Sequence, residues 1–147
     1  MNPATLGTDF SAEWKLVYAA LVIAAGATLG AIFFGEVMHV PPCLLCWYQR
    51  ICMFPLALLL PLGLAPYDPR IIRYALPLAT IGLGIAVFHQ LLIAGWVPRE
   101  FEPCTRGVPC SQTVFTLYDV LTIPWLSITA FSAIVVLLLL ARARGAR

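Results

Sequence analysis

The sequence predicts an all-α protein, an integral membrane four-helix bundle that forms a single domain over residues 1–147. Hydrophobic residues make up 61% of the chain and charged residues 11%, whereas soluble domains carry about a quarter charged residues. The charges lie between long uncharged runs and do not mark out polar helix faces. The net charge is +2 and the only basic cluster is at the C-terminus, so the sequence gives no basis for nucleic-acid binding.

Spans one, three and four correspond to uncharged runs that are long enough to cross a bilayer. A helix rises about 1.5 Å per residue, so about 20 apolar residues cover the roughly 30 Å hydrocarbon core. Residues 16–35 and 120–141 carry no charge, and His89 is the only histidine or charged residue within 74–98. These three runs predict three membrane helices.

Span two, residues 51–67, is the shortest of the four runs. Its helix can cross the bilayer only if it begins before Arg50 and carries that arginine near one membrane face. Pro55 and Pro61 lie inside this run. Proline is tolerated in membrane helices where neighbouring groups satisfy the freed carbonyls, so these prolines predict kinks and not breaks.

The distribution of Lys and Arg predicts the orientation of the bundle. Short cytoplasmic loops hold an excess of these residues. Four crossings place six of the nine Lys and Arg residues on one side, namely Lys15, Arg70, Arg73, Arg142, Arg144 and Arg147. We therefore expect both termini to be cytoplasmic, with two extracytoplasmic loops at about 36–49 and 97–119.

Each predicted outer loop carries a pair of cysteines. Cys43 and Cys46 fall in the first loop and Cys104 and Cys110 in the second, whereas Cys52 lies within span two and is interpreted as a small buried hydrophobe. Thiols on the oxidising side of a membrane tend to form disulfides. The pattern therefore predicts two cysteine pairs.

The first pair has features of a reactive group. A Cys43–Cys46 disulfide would close a very short loop, and would remove little entropy from the unfolded chain. Pro41 and Pro42 precede the pair and predict a helix start, which would place the sulfurs at a helix N-terminus, where the thiolate is favoured. A redox-active pair is the favoured interpretation, with a structural disulfide and a zinc site as alternatives.

The second pair lies in a loop punctuated by proline and glycine, where a structural disulfide is a closer competitor to a redox role. After Cys110, apolar residues from Val114 to Leu121 recur at helical spacing. They predict either a short helix on the membrane surface or an extension of span four.

Arg50 and His89 are ionisable residues that fall within the membrane on the cysteine side. Arg50 follows Cys46 by four residues and so shares its helix face, and His89 lies about 13 Å by helical rise from the predicted outer end of span three. Such residues are costly in a membrane and suggest a site, although a snorkelling arginine and a hydrogen-bonded structural histidine remain alternatives. If both face Cys46, they could hold the carbonyl oxygens of a lipid-soluble quinone.

The segment 42–50, Pro-Cys-Leu-Leu-Cys-Trp-Tyr-Gln-Arg, resembles the CxxC-x-x-x-Arg signature of the disulfide bond formation protein B (DsbB) family. Four spans and a second outer cysteine pair match the architecture of that family. Residues 107–110 and 122–126 are similar to its shorter, BdbC-type branch. The resemblance implies an enzyme of the bacterial inner membrane that oxidises an extracytoplasmic thioredoxin-fold, DsbA-like thiol oxidase. It also implies that the electrons pass to a quinone, ubiquinone or menaquinone.

The resemblance also implies roles for individual residues. Cys43 and Cys46 would be the quinone-coupled pair, and Cys104 and Cys110 would exchange disulfides with the partner protein. Arg50 and His89 would be quinone-site residues. Gln49 stands where better-known members often carry an acidic residue, so a carboxylate role at that position does not carry over.

Two other interpretations remain. A non-enzymatic four-span membrane protein could bind a metal or a partner through its outer-loop cysteines. Within the redox class, vitamin K epoxide reductase is similar in its four-helix core and its CxxC chemistry.

Overall fold

The computed structural model describes residues 3–101, 103, 110, 116–117 and 121–145. In this part of the chain the structure is dominated by four helices, α1 (Pro3–Ile32), α2 (Leu44–Leu62), α3 (Ile71–Ile93) and α4 (Ile123–Gly145). A π-helical turn, Phe33–Val37, continues α1, and a 3₁₀ turn, Arg99–Phe101, follows α3. All four helices are long and apolar enough to span a membrane, over Ala12–Val37, Leu44–Leu62, Ile71–Ile93 and Pro124–Gly145. The predicted all-α, four-span class is confirmed.

The second helix starts and ends earlier than its uncharged run. It begins at Leu44, before Arg50 as predicted, and it continues through Pro55 and Pro61 to Leu62. The chain then turns: Leu64 forms an isolated antiparallel bridge with Tyr67. The early start supplies the length that the uncharged run alone lacks.

The third helix ends at Ile93, earlier than the predicted boundary at residue 98. Gly95 has a φ of 75°, a backbone conformation that glycine adopts without strain. Its N–H donates to Leu92 O, and the N–H of Trp96 donates to Leu91 O. These two bonds satisfy carbonyls at the end of the helix and stop it. His89 is therefore one turn from the end of α3, about 6 Å by helical rise, and is shallower than predicted.

The helices pack in a ring in which α1 contacts α2, α2 contacts α3, α3 contacts α4 and α4 contacts α1. Small residues, including Ala20, Ala24 and Ala79, are buried at these contacts beside larger residues such as Leu56. Small side chains let membrane helices approach closely, where van der Waals packing and not the hydrophobic effect holds them together. Gly82 is the tightest case, because a Cβ there would overlap the ring of Phe131 from α4.

The end of the bundle opposite Cys43 has its own polar contacts. The Tyr67 hydroxyl donates to a carboxylate oxygen of Glu13 over 3.3 Å, and Trp14 Nε1 donates to Leu64 O, also over 3.3 Å. Glu13 is buried. These bonds join the first span to the connection between α2 and α3.

The expected helix after Cys110 is wrong for the residues that the structure describes. Thr116–Leu117 forms strand β1, which pairs antiparallel with Leu121–Thr122, strand β2. Val114, Phe115 and Tyr118 lie outside the described residues. The segment is rich in β-branched residues, which favour extended backbone over helix, and this outweighs the helical spacing of its apolar residues.

Candidate functional site

Cys43 and Cys46 lie at the N-terminus of α2, as predicted. Cys43 is the N-cap residue, and Cys46 lies in the first helical turn and not in the loop. The Cys46 N–H donates to the Cys43 sulfur over 3.4 Å, so the sulfur satisfies one of the free N–H groups at the helix start. The two sulfurs are 3.1 Å apart, and both belong to free cysteines.

The surroundings of Cys43 favour its ionised form. The hydrogen bond with the Cys46 thiol, assisted by His89 and by the Cys46 N–H, lowers the pKa of Cys43 to about 4, although burial of the side chain opposes this shift. Cys43 is therefore a thiolate at neutral pH when the pair is reduced. A thiolate of low pKa is a good leaving group in disulfide exchange.

His89 lies on α3 and connects three parts of the site. Its Nε2 is 3.8 Å from the Cys43 sulfur and 3.2 Å from the backbone oxygen of Cys110. Its Nδ1 is 3.1 Å from Nε2 of Gln49 on α2. Both His89 and Gln49 are buried. Polar groups buried to this degree in a membrane helix are costly unless they are hydrogen-bonded, and these are.

Cys110 comes from the second predicted loop and packs against the first pair. It is fully buried, it is disulfide-bonded, and it forms an apolar cluster with Cys43, Leu45 and Leu92. The structure thus brings one cysteine of the second pair beside Cys43. Cys104, the other predicted member of that pair, lies outside the described residues.

Arg50 lies one turn deeper in α2 than Cys46, and its side chain reaches α1. Its Nη2 donates to Ala31 O over 2.9 Å, and its guanidinium carbon lies 5.5 Å from the centroid of the Trp47 ring. A Cβ at Gly35 would lie 3.3 Å from both terminal nitrogens of Arg50. Gly35 belongs to the π-helical turn Phe33–Val37, a type of distortion that occurs frequently at functional sites.

A cavity of about 600 Å³ adjoins these polar groups. Cys43, Cys46, Gln49, Arg50 and His89 all line it. The remaining lining is mostly apolar, and includes Val22, Ile23, Phe34, Met53, Phe54 and Phe131. Ligand sites combine such an apolar wall with a few convergent polar groups. The cavity therefore fits a lipid-soluble ring that carries hydrogen-bond acceptors.

Comparison with known proteins identifies the family of the chain. The family model described as "Disulfide bond formation protein DsbB" matches residues 13–141. The chain belongs to the DsbB family. It is 42% identical over 145 residues to a "Probable disulfide formation protein" of Metapseudomonas resinovorans, and the alignment covers 98% of each chain. It is 40% identical over 126 residues to "Disulfide bond formation protein C" of Bacillus subtilis (strain 168), and this alignment covers 84% of this chain and 90% of the relative. No solved structure gives a significant match.

DsbB family membership and four membrane-length helices support a multi-pass membrane protein that functions in disulfide-bond formation. The predicted recognition of this family is confirmed. The roles predicted for Cys43, Cys46, Arg50 and His89 remain predictions, but the structure places all four side chains on one cavity.

The alternative of a zinc site depends on the same residues. Ligand atoms of Cys43, Cys46 and His89 lie within 4.8 Å of one another, which is close enough for one ion. However, both nitrogens of His89 already face polar partners, at Gln49 and at Cys110. A four-cysteine zinc site would also require Cys110 as a free thiolate, whereas it is disulfide-bonded. The described residues therefore fit thiol chemistry better than a structural zinc site.

Three features of this DsbB-family site were not predicted from the sequence. They are the contact between Gln49 and His89, the Ala31 oxygen that holds Arg50, and the close approach at Gly35. For Gln49 a signal was present, because it follows Cys46 by three residues and so shares its helix face. For Ala31 and Gly35 there was none, since the sequence does not mark a π-helical turn.

Proposed function

We propose that this chain is a membrane thiol–disulfide oxidoreductase that reoxidises an extracytoplasmic thioredoxin-fold, DsbA-like disulfide donor and passes the electrons to a membrane quinone. One observation carries the proposal. A single cavity is lined by a CxxC pair at a helix N-terminus, by Arg50 and by His89, and a disulfide-bonded cysteine of the second pair packs directly behind Cys43.

The first step of the mechanism is disulfide exchange with the partner protein. A thiolate of the reduced partner attacks the Cys104–Cys110 disulfide and forms a mixed disulfide. The second partner thiol then attacks that bond, so the partner leaves oxidised and Cys104 and Cys110 become thiols. Two electrons and two protons enter the chain in this step.

The second step moves those electrons to the CxxC pair. The Cys110 thiolate attacks Cys43 of the Cys43–Cys46 disulfide and releases Cys46 as a thiolate. Cys104 then attacks the Cys43–Cys110 bond and restores the loop disulfide, leaving Cys43 and Cys46 reduced. Cys43 and Cys110 are both buried members of one cluster, whereas Cys46 is only partly buried at its edge, and this supports the choice of Cys43.

The last step regenerates the Cys43–Cys46 disulfide. A bound quinone supplies the oxidant, since it accepts two electrons and two protons. Cys46 lines the cavity one helical turn above Arg50. The guanidinium stabilises negative charge that develops on an oxygen in the cavity, and the apolar wall excludes water, which strengthens that interaction.

We also propose that the CxxC end faces the extracytoplasmic side of the bacterial inner membrane and that both termini are cytoplasmic. Lys15 and Arg73 lie at the opposite end, where α1 enters its span and α3 begins, and Arg142 and Arg144 lie in the last turn of α4. This asymmetry supports the assignment. A membrane-impermeant thiol reagent applied to spheroplasts should label reduced Cys46, and protection of that thiol until the membrane is permeabilised would contradict the orientation.

The catalytic proposal is tested by quinone reduction with purified protein. A reduced thioredoxin-fold protein and a soluble quinone are mixed with each variant, and quinone absorbance is followed. Cys46→Ser should abolish turnover because no disulfide can form with Cys43. Cys52→Ala is the matched control, because Cys52 is a buried cysteine of the same helix with no proposed role. Equal turnover in the two variants would remove the assignment, and a bound zinc ion without turnover in the wild type would favour the metal-binding alternative.

A further inference from the structure

We infer that Gln49 is a positioning residue that holds His89 as its Nε2–H tautomer, so that the single ring hydrogen of His89 points at Cys110 and Cys43. The assignment of the tautomer depends only on geometry. Its consequence for disulfide exchange rests on the proposed function.

Two contacts agree on the same tautomer. The backbone oxygen of Cys110 can only accept a hydrogen bond, so Nε2 of His89, 3.2 Å away, must carry hydrogen. In the neutral ring Nδ1 is then a bare acceptor. The Gln49 amide nitrogen lies 3.1 Å from Nδ1, and an amide nitrogen can only donate. The Cys110 contact thus also fixes which end of the Gln49 amide faces the ring, since its oxygen would set two acceptors against each other.

Burial makes the hydrogen bond between Gln49 and His89 important for the orientation of the ring. Gln49 is 6% exposed and His89 is 3% exposed, so water has little access to either group. Without the Gln49 donor, Nδ1 would be a buried acceptor lacking its partner, and the ring would be free to turn or to move its hydrogen. Gln49 and His89 also lie on different helices, α2 and α3, so the bond fixes the ring relative to the CxxC pair.

The hydrogen on Nε2 positions groups from both cysteine pairs for the proposed disulfide exchange. It holds the Cys110 backbone 3.2 Å from the ring while the same nitrogen lies 3.8 Å from the Cys43 sulfur. The two sulfur-bearing residues that exchange in the proposed mechanism are therefore both positioned by one N–H group. Gln49 acts through His89 and takes no part in the bond changes.

The tautomer is tested by ¹⁵N NMR of histidine-labelled protein in detergent. The chain has two histidines, so the variant His39→Asn leaves His89 as the only labelled ring, and asparagine suits the positive φ at that position. In this background we expect a protonated Nε2 and a bare Nδ1. Gln49→Glu keeps the length of the side chain but supplies only acceptors near Nδ1, so the Nδ1 signal should change to that of a protonated nitrogen. A protonated Nδ1 with Gln49 in place, or an unchanged Nδ1 signal in Gln49→Glu, would overturn the inference.

A double-mutant cycle tests the consequence for the reaction. Gln49→Met has a side chain of similar length with no donor, and it should lower kcat roughly tenfold, which is about 1.4 kcal/mol. In a His89→Gln background the same substitution should change kcat less than twofold, because Gln49 acts through His89. A tenfold loss in both backgrounds would assign Gln49 a role independent of His89. Absence of turnover in the wild type would overturn the proposed function, whereas the NMR signals still decide the tautomer.

Discussion

The two ends of the bundle both bury polar side chains, but they treat those groups in opposite ways. At the cysteine end, hydrogen bonds lower the pKa of Cys43 to about 4. At the other end, burial and the neighbouring Glu13 raise the pKa of Tyr67 to about 12. The first environment favours the charged form of a thiol, and the second favours the neutral form of a phenol. Burial opposes ionisation of both Cys43 and Tyr67. Burial alone therefore does not distinguish the end that carries the candidate site.

The two ends differ in whether hydrogen-bond donors surround the ionisable group beside a cavity. Cys43 receives hydrogen bonds at a helix N-terminus and lines the cavity with Arg50 and His89. Tyr67 is itself the donor, and it joins the α2–α3 connection to Glu13 in the first span. The cysteine end therefore has the groups that the proposed reaction needs to stabilise developing charge, whereas the polar groups of the opposite end join segments of the chain.

The largest expected difference between the ends is in ionisation. In the reduced protein, the ultraviolet absorbance of the Cys43 thiolate should persist at neutral pH and disappear as the pH falls through about 4. Because this pKa lies below the ordinary value of 9.0, the thiolate stabilises the folded reduced protein most at high pH, and that contribution is lost as the pH falls to about 4. For Tyr67 the sign is reversed, and its contribution is lost only as the pH rises through about 12.

The titration has a direct control. Cys43→Ser should remove the low-pH thiolate signal, and Cys52→Ala should retain it. A signal that titrates near 9.0 in the Cys52→Ala protein would contradict the environment described for Cys43.

The next largest effect is expected from the cationic side chain on the cavity. Arg50→Gln should lower kcat/KM for quinone roughly 100-fold, the usual scale for losing one group that stabilises developing negative charge. Disulfide exchange between the partner and the Cys104–Cys110 pair should continue, because Arg50 is held by Ala31 and Trp47 and its proposed role concerns only the quinone. Arg73→Gln is the control, an exposed arginine at the start of α3 at the opposite end. Equal losses in the two variants would indicate a general effect of membrane-surface charge.

A smaller effect is expected from Gly35, which makes room for the Arg50 side chain. In Gly35→Ala the new Cβ would lie 3.3 Å from both guanidinium nitrogens, so Arg50 must shift by a few tenths of an ångström. A misplacement of about 1 Å can cost about 100-fold in rate, so this smaller shift should raise the quinone KM roughly threefold to tenfold. Gly84→Ala is the control, since no atom lies within 4 Å of a Cβ there. An unchanged KM in Gly35→Ala would mean that Arg50 tolerates displacement.

Much of the fold could be predicted from the sequence because membrane helices obey a length constraint. The uncharged runs are separated by charges, and a helix of about 20 residues must fit each run. The same constraint required α2 to begin before Arg50, and Pro41 and Pro42 indicated where. The position of the CxxC pair at a helix N-terminus followed from these local features.

The contacts within the site could not be predicted in the same way. Whether Gln49 meets His89 depends on how α2 and α3 are rotated about their axes, and helices that are apolar on nearly all sides carry little information about rotation. The depth of His89 was overestimated because Gly95 ends α3 through its positive φ, whereas the apolar run continues to residue 98. The π-helical turn that brings Gly35 to Arg50 depends on tertiary packing and has no motif.

The smallest expected effect is at the end of the bundle opposite the cysteines, where we expect a polar contact to contribute to stability and not to turnover. Tyr67→Phe removes the hydroxyl that donates to Glu13 and leaves a buried carboxylate with one donor fewer. The free energy of unfolding should fall by about 1 kcal/mol, the typical value of one such bond, while quinone turnover stays at the wild-type level. Tyr74→Phe is the control, because Tyr74 is 68% exposed and its hydroxyl has no hydrogen-bond partner among the described residues. Unfolding of the purified protein in denaturing detergent measures the stability. A loss of turnover at unchanged stability would show that the polar pair at this end is coupled to the cavity, and the two ends would then form one functional unit.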